Sequence, residues 1–77
     1  MTESMVDITL HIDEETSHED REKLREKILG TDGVMAAACR DKKPHLMIIE
    51  YDPNVVNSSA FVKIAQDSGL HAELVGL

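Results

Sequence analysis

The sequence predicts one small α+β domain, in which a four-stranded antiparallel sheet carries two helices on one face. Three observations predict it: strict alternation of apolar residues near the start, two stretches with helical spacing, and turn residues between the elements. The chain has 77 residues, of which 42% are hydrophobic, which is enough for one hydrophobic core. We therefore expect residues 1–77 to form a single domain.

The first predicted strand covers residues 6–13, because apolar and polar side chains alternate strictly along it. Its apolar side consists of Val6, Ile8, Leu10 and Ile12. Its polar side consists of Asp7, Thr9, His11 and Asp13. Such alternation is typical of a strand that packs one face on a core and leaves the other face open.

A helix is predicted to begin at Ser17 or His18 and to end at Leu29. Leu24 and Ile28 lie four residues apart and would face the core, whereas most other positions of this stretch are charged. Glycines follow this stretch and are expected to end the helix and turn the chain.

Two residue pairs are candidates for the N-cap of this helix. Ser17 is followed three residues later by Asp20, and Thr16 by Glu19. In each pair a hydroxyl would accept a backbone N–H at the start of the helix, and the acid would suit the positive end of the helix dipole. The sequence alone leaves both pairs open.

The second half of the chain supplies the remaining elements. Further strands are predicted over residues 34–40, 45–51 and 70–75, and a second helix over residues 58–68 with Asn57 as its N-cap. A charged turn at residues 41–44 would join the second and third strands. The resulting order, β-α-β-β-α-β, is that of a ferredoxin-like sandwich.

Composition excludes several classes of function. The net charge of −7 repels phosphate and anionic lipid, and Tyr51 and Phe61 are the only aromatic residues, so nucleic-acid and membrane roles are not expected. Cys39 is the only cysteine, which excludes an internal disulfide or a cysteine-pair metal site. The polar, acidic N-terminus is unlike a signal peptide, and no apolar run reaches membrane length. We therefore expect a cytoplasmic protein without a cofactor.

Several modest motifs occur at a characteristic joint spacing between about Val6 and Leu74. These are Gly33-Val34, Tyr51-Asp52-Pro53, Phe61 with Val62, and Gly69-Leu70 followed by Ala72 and Leu74. In this joint spacing the sequence resembles the heavy-metal-associated domain. That family includes small copper chaperones and the N-terminal domains of metal-transporting ATPases. The resemblance implies the same ferredoxin-like fold.

The metal motif of that family is absent from this sequence. Its signature is Met-x-Cys-x-x-Cys in the loop before the first helix. Counting back from Gly33 places Glu15 at the methionine, Ser17 at the first cysteine and Asp20 at the second. Soft Cu(I) is held by thiolates, which a serine hydroxyl does not replace near neutral pH. Arg21 also stands where an apolar residue is common. The resemblance therefore implies the fold with a degenerate metal site.

Two other sets of residues are candidates for a metal site. His18 and Asp20, in the acidic loop, could hold a hard or borderline cation, although an acidic helix start explains them equally well. His11 and His71 would project from the open face of neighbouring strands, with Glu73 beside them, in a two-histidine zinc site. The alternative is a pair of solvated histidines. We expect no metal at either place.

Leu46 and Ile48 are predicted to face outward from the third strand. Together with Val75 and Ala36 or Ala38, they would form an apolar patch on the open sheet face. A contiguous patch indicates a protein partner or self-association, whereas scattered exposed residues would indicate nothing.

The sequence does not favour an enzyme. It has no glycine-rich phosphate loop, no G-x-S-x-G elbow and no HExxH. Acylphosphatases share the predicted topology but need an arginine in the loop after the first strand, where this chain is acidic. Cys39 is predicted to be an inert buried thiol. The predicted function is therefore a non-catalytic module acting through protein–protein contacts. The alternative is a metal-binding or transport-related domain with His, Asp and Glu ligands.

Overall fold

The computed structural model describes residues 5–75, and their elements follow the predicted order. The strands are β1 (Val6–Ile12), β2 (Val34–Arg40), β3 (Lys43–Tyr51) and β4 (Ala72–Val75). The helices are α1 (His18–Leu29) and α2 (Ser59–Asp67). Neighbouring strands are antiparallel in the order β2-β3-β1-β4. This confirms the ferredoxin-like sandwich, with both helices on one face of the sheet.

The core lies between the inner sheet face and the two helices. Its largest fully buried side chains are Leu10, Ile12, Leu24, Ile28, Met47, Ile49 and Phe61. Phe61 of α2 meets Tyr51 of β3 edge to face, with ring centroids 5.1 Å apart. The sequence predicts the inward faces of β1 and β3 from alternation, and the burial confirms them except at Val6, which is exposed at the start of β1.

Several boundaries differ from the prediction, and three of the differences have a structural reason. The turn between β2 and β3 consists of Asp41 and Lys42, so Pro44 lies inside β3, where a register shift accommodates a residue without an N–H. β4 begins at Ala72 rather than Leu70, because its pairing with β1 starts there. α2 begins at Ser59, whose N–H donates to Asn57 Oδ1 at 2.9 Å.

The two edges of the sheet are unlike its centre. β4 has four residues, and the register of β2 against β3 shifts between Val34 and Ala36 and again between Cys39 and Arg40. Met35, at the first shift, is 62% exposed. Among the described residues, no helix is long and apolar enough to cross a membrane.

Candidate functional site

The loop between β1 and α1, where the resembling family holds its metal, is here a helix cap. The Ser17 backbone is extended, and its hydroxyl accepts the N–H of Asp20 at 3.1 Å. The cap is therefore formed by the first of the two predicted pairs. The second pair is not formed, since the buried Thr16 Oγ1 has no hydrogen-bond partner within residues 5–75. The Ser17 hydroxyl and the Asp20 N–H, at the two positions expected for cysteines, thus form the hydrogen bond that caps α1.

Arg21 fills the space beneath this loop. The residue is 5% exposed, and its guanidinium donates to the Thr16 carbonyl at 2.6 Å and to Asp41 Oδ1 at 2.7 Å. One contact holds the loop and the other reaches the β2–β3 turn, so the side chain ties two segments together. The Asp41 carboxylate is therefore already paired with a fixed positive charge and is not free to bind a further cation.

His18 belongs to the same network. Its Nδ1–H donates to Asp41 Oδ1 at 2.9 Å, because a carboxylate can only accept. The hydrogen bond from His18, followed by that from Arg21, lowers the pKa of Asp41. His18 is thus turned toward the β2–β3 turn, and the structure does not gather it with Asp20 as metal ligands.

His71 lies before β4, where it pairs with Glu14. Its backbone N–H donates to Glu14 Oε1 at 2.8 Å, and its ring Nδ1–H donates to Oε2. The ring hydrogen bond raises the pKa of His71, and the same bond together with the backbone hydrogen bond lowers the pKa of Glu14. The contact links the β1–α1 loop to the segment before β4. His71 and His11 therefore have separate partners.

His11 contributes to a different cluster on the open face. Within residues 5–75, one group of three His, Cys, Asp or Glu side chains has ligand atoms within mutual reach, at most 4.8 Å apart. It consists of His11, Asp13 and Glu73. The sequence predicts a group of His11, His71 and Glu73 on this face. The structure brings His11 and Glu73 together, but the third member of the group is Asp13 and not His71.

Cys39 is half-buried at the inner side of β2. Its Sγ lies 3.4 Å from Glu22 Oε2. Burial, and to a lesser degree the Glu22 carboxylate, raises the pKa of this thiol. A thiol held in the protonated form is a poor nucleophile and a poor ligand for a soft metal.

Leu46 and Ile48 lie on the open face of β3, as the alternation predicts. With Thr9, Ala38, Arg40 and Lys43 they line a shallow groove on that face. Ile48 is 45% exposed and Val75 is 43% exposed. Leu46 is partly covered, and its Cα faces that of His11 in the β1–β3 pairing. The groove is therefore apolar on one side and basic on the other.

The architecture and the place of the loop define the class of domain: the chain has the fold of the heavy-metal-associated domain. No family model matches the sequence, and no curated protein matches it. The chain is similar to solved structures, but at low sequence identity, and the similarity therefore establishes the fold alone.

Three of those structures show the range of similar proteins. A copper-binding domain from HMA7, a P-type ATPase, has 18% identity and a TM-score of 0.81, covering 91% of this chain and 93% of that domain. Oxidized MerP from Ralstonia metallidurans CH34 has 14% identity and a TM-score of 0.85, covering 95% and 100%. The yeast copper transporter domain CCC2A has 16% identity and a TM-score of 0.81, covering 91% and 94%.

Proposed function

We propose that this domain is a non-catalytic binding module that has lost thiolate metal binding and acts through protein–protein contacts. The observation that carries the proposal is the hydrogen bond from the Asp20 N–H to Ser17 Oγ. Ser17 and Asp20, at the two positions that would supply sulfur to a soft ion, instead form the N-terminal cap of α1. The fold is kept while the ligand set for Cu(I) is absent.

The residues around the loop do not fit a resident copper ion. Cys39 is the one thiol of the chain, and it lies beside Glu22 with a raised pKa. Hard ligands at the loop fit no better, because His18 and the adjacent Arg21 are both bound to Asp41. The raised pKa of Cys39 also argues against a nucleophile, which supports a non-catalytic role.

The open sheet face supports the protein-contact role. Pairing places Ala38 beside Ile48, Ile48 beside Thr9, and Thr9 beside Val75, so a mostly apolar row crosses all four strands. Acidic side chains of β1 and β3 flank this row on one side, and the basic side chains of the groove lie on its other side. We call this row the sheet patch. An apolar centre with a charged rim is the usual composition of a protein-binding surface.

Competition for Cu(I) against a chromophoric chelator tests the loss of thiolate binding. The wild-type chain is expected to leave the ion on the chelator, because it offers no pair of thiolates. The double variant Ser17→Cys with Asp20→Cys is expected to withdraw one ion per chain, since the backbone already has the required fold. A tight one-to-one complex of the wild type that persists in Cys39→Ser would contradict the proposal.

Substitution in the sheet patch tests the contact role. Ile48→Asp places a charge at the centre of the row, and we expect it to abolish concentration-dependent self-association in sedimentation, or capture of a cellular partner. Val55→Asp is the matched control, because Val55 is also exposed but lies in the turn after β3. Equal loss of association in both variants, or unchanged association in Ile48→Asp, would show that the sheet patch is not the contact surface.

A further inference from the structure

We propose that His11, Asp13 and Glu73 form a binding site for Zn²⁺ on the open sheet face, between β1 and β4. This site is separate from the β1–α1 loop, and it goes beyond the contact function proposed above. It uses one imidazole and two carboxylates, a mixed set of nitrogen and oxygen ligands that suits a borderline cation.

Strand pairing brings the three side chains together. His11 and Glu73 are directly opposed in the β1–β4 ladder and point to the open face. Asp13 follows His11 by two residues, and its N–H donates to the His71 carbonyl at 2.8 Å, which continues the pairing past the end of β1. Asp13 is thereby held on the same face as the other two.

The distances between ligand atoms suit a tetrahedral ion. His11 Nδ1 lies 3.2 Å from Asp13 Oδ1. Two ligands bound to zinc at 2.0–2.1 Å in tetrahedral geometry are about 3.3 Å apart. All three ligand atoms lie within 4.8 Å of one another. Glu73 is exposed, so its side chain can close the remaining gap by a change of rotamer.

The His11 nitrogen makes no hydrogen bond within residues 5–75. The side chain is 36% exposed, yet Nδ1 is shielded from solvent, and its 3.2 Å approach to Asp13 Oδ1 is an ion-pair distance without a hydrogen bond. The ring stacks on His45 at 5.7 Å, and His45 is fixed by donating from Nδ1 to the Ile12 carbonyl at 2.7 Å. A bound cation would satisfy the shielded nitrogen and offset the two carboxylate charges.

Titration of the full chain with zinc chloride, followed by ¹H–¹⁵N spectra of amides and imidazoles, tests the site. We expect a saturable one-to-one change in the His11 ring and in the amides near residues 11–13 and 73. Glu73→Gln should weaken zinc binding by at least about tenfold, since a direct ligand matters no less than the second-shell groups that tune affinity. His11→Gln should abolish saturable binding.

Matched controls separate a built site from general attraction to an acidic protein. Glu50→Gln removes the same charge from the same sheet face at a position outside the cluster, and zinc affinity should stay within about twofold because exposed charges are screened. His18→Gln should also leave binding unchanged, since it removes only the histidine of the α1 start.

Three results would overturn the site. The first is no saturable change up to about 1 mM zinc, a concentration that marks weak binding. The second is equal weakening by Glu50→Gln and Glu73→Gln, and the third is a set of changes centred on His18 or His71. None of these results bears on Cu(I) binding at the loop.

Discussion

The two helices of this domain begin in different ways. α1 begins in a polar network, where a serine caps the backbone and a buried arginine joins the loop to a distant turn. α2 begins with no acid in its first turn and no cap hydrogen bond to the side chain of Ser58, and the side-chain contact at its start is the hydrogen bond from the Ser59 N–H to Asn57 Oδ1. Within the described residues no buried charge supports that contact, and the helix packs on the sheet through Phe61 and Ala65.

The difference shows two ways in which the start of a helix can be held in place. The residues buried in α1 are Arg21, Leu24 and Ile28, so one of its three inward side chains is charged. In α2 both buried residues are apolar. Apolar burial suffices where the helix only has to pack, whereas the start of α1 is held by directional contacts among Ser17, Arg21 and Asp41. This end of the fold is therefore the more sensitive to single polar changes.

The largest difference between the two helix starts is expected at Arg21. Arg21→Ala should lower the free energy of unfolding by about 2–3 kcal/mol, because it removes a buried stem and leaves the Thr16 carbonyl unpaired. Arg21→Met should cost only about 1 kcal/mol, since it keeps the stem and removes the unpaired Nε. Urea unfolding measures both.

Equal losses in the two Arg21 variants would show that the hydrogen bonds alone carry the contribution. An unchanged free energy of unfolding in Arg21→Met would show that packing of the side-chain stem is the whole contribution. The start of α1 would then be held by burial, as the body of α2 is.

A smaller effect separates the two caps directly. Ser17→Ala should cost about 1 kcal/mol, since it removes the acceptor of the Asp20 N–H. Ser58→Ala should change stability by less than about 0.5 kcal/mol, because its hydroxyl makes no cap hydrogen bond. Thermal unfolding of the pair, under one buffer condition, gives the difference. A loss in Ser58→Ala as large as that in Ser17→Ala would contradict the contrast.

Much of the fold could be predicted because its signals are local. Alternation located β1 and β3, and helical spacing located α1, whose predicted end at Leu29 is confirmed. The Ser17 cap was also predictable, since its partner lies three residues away. The choice between Ser17 and Thr16 needed the backbone, because either hydroxyl satisfies the sequence pattern.

The rest depended on contacts between distant segments. Asp41 is twenty residues from Arg21, and nothing in a charged turn indicates that one of its acids will return to the first helix. Alternation of Leu70, Ala72 and Leu74 placed His71 on a strand, but alternation does not show where pairing with β1 begins. The cluster of His11, Asp13 and Glu73 was half visible for the same reason. Alternation had already placed Asp13 on the same side of β1 as His11, but its closeness to Glu73 became evident only from the paired backbone.

The irregular edges of the sheet restrict how copies of this chain could assemble. A straight outer strand offers a row of free N–H and C=O groups on which another molecule can continue the sheet. The two register shifts of β2 interrupt that row, and β4 pairs with β1 over four residues of the described chain. Strand addition, the route toward fibres, is thereby obstructed at the β2 edge. Assembly of copies is directed away from this edge and toward the face of the sheet, where contacts can be finite and reversible.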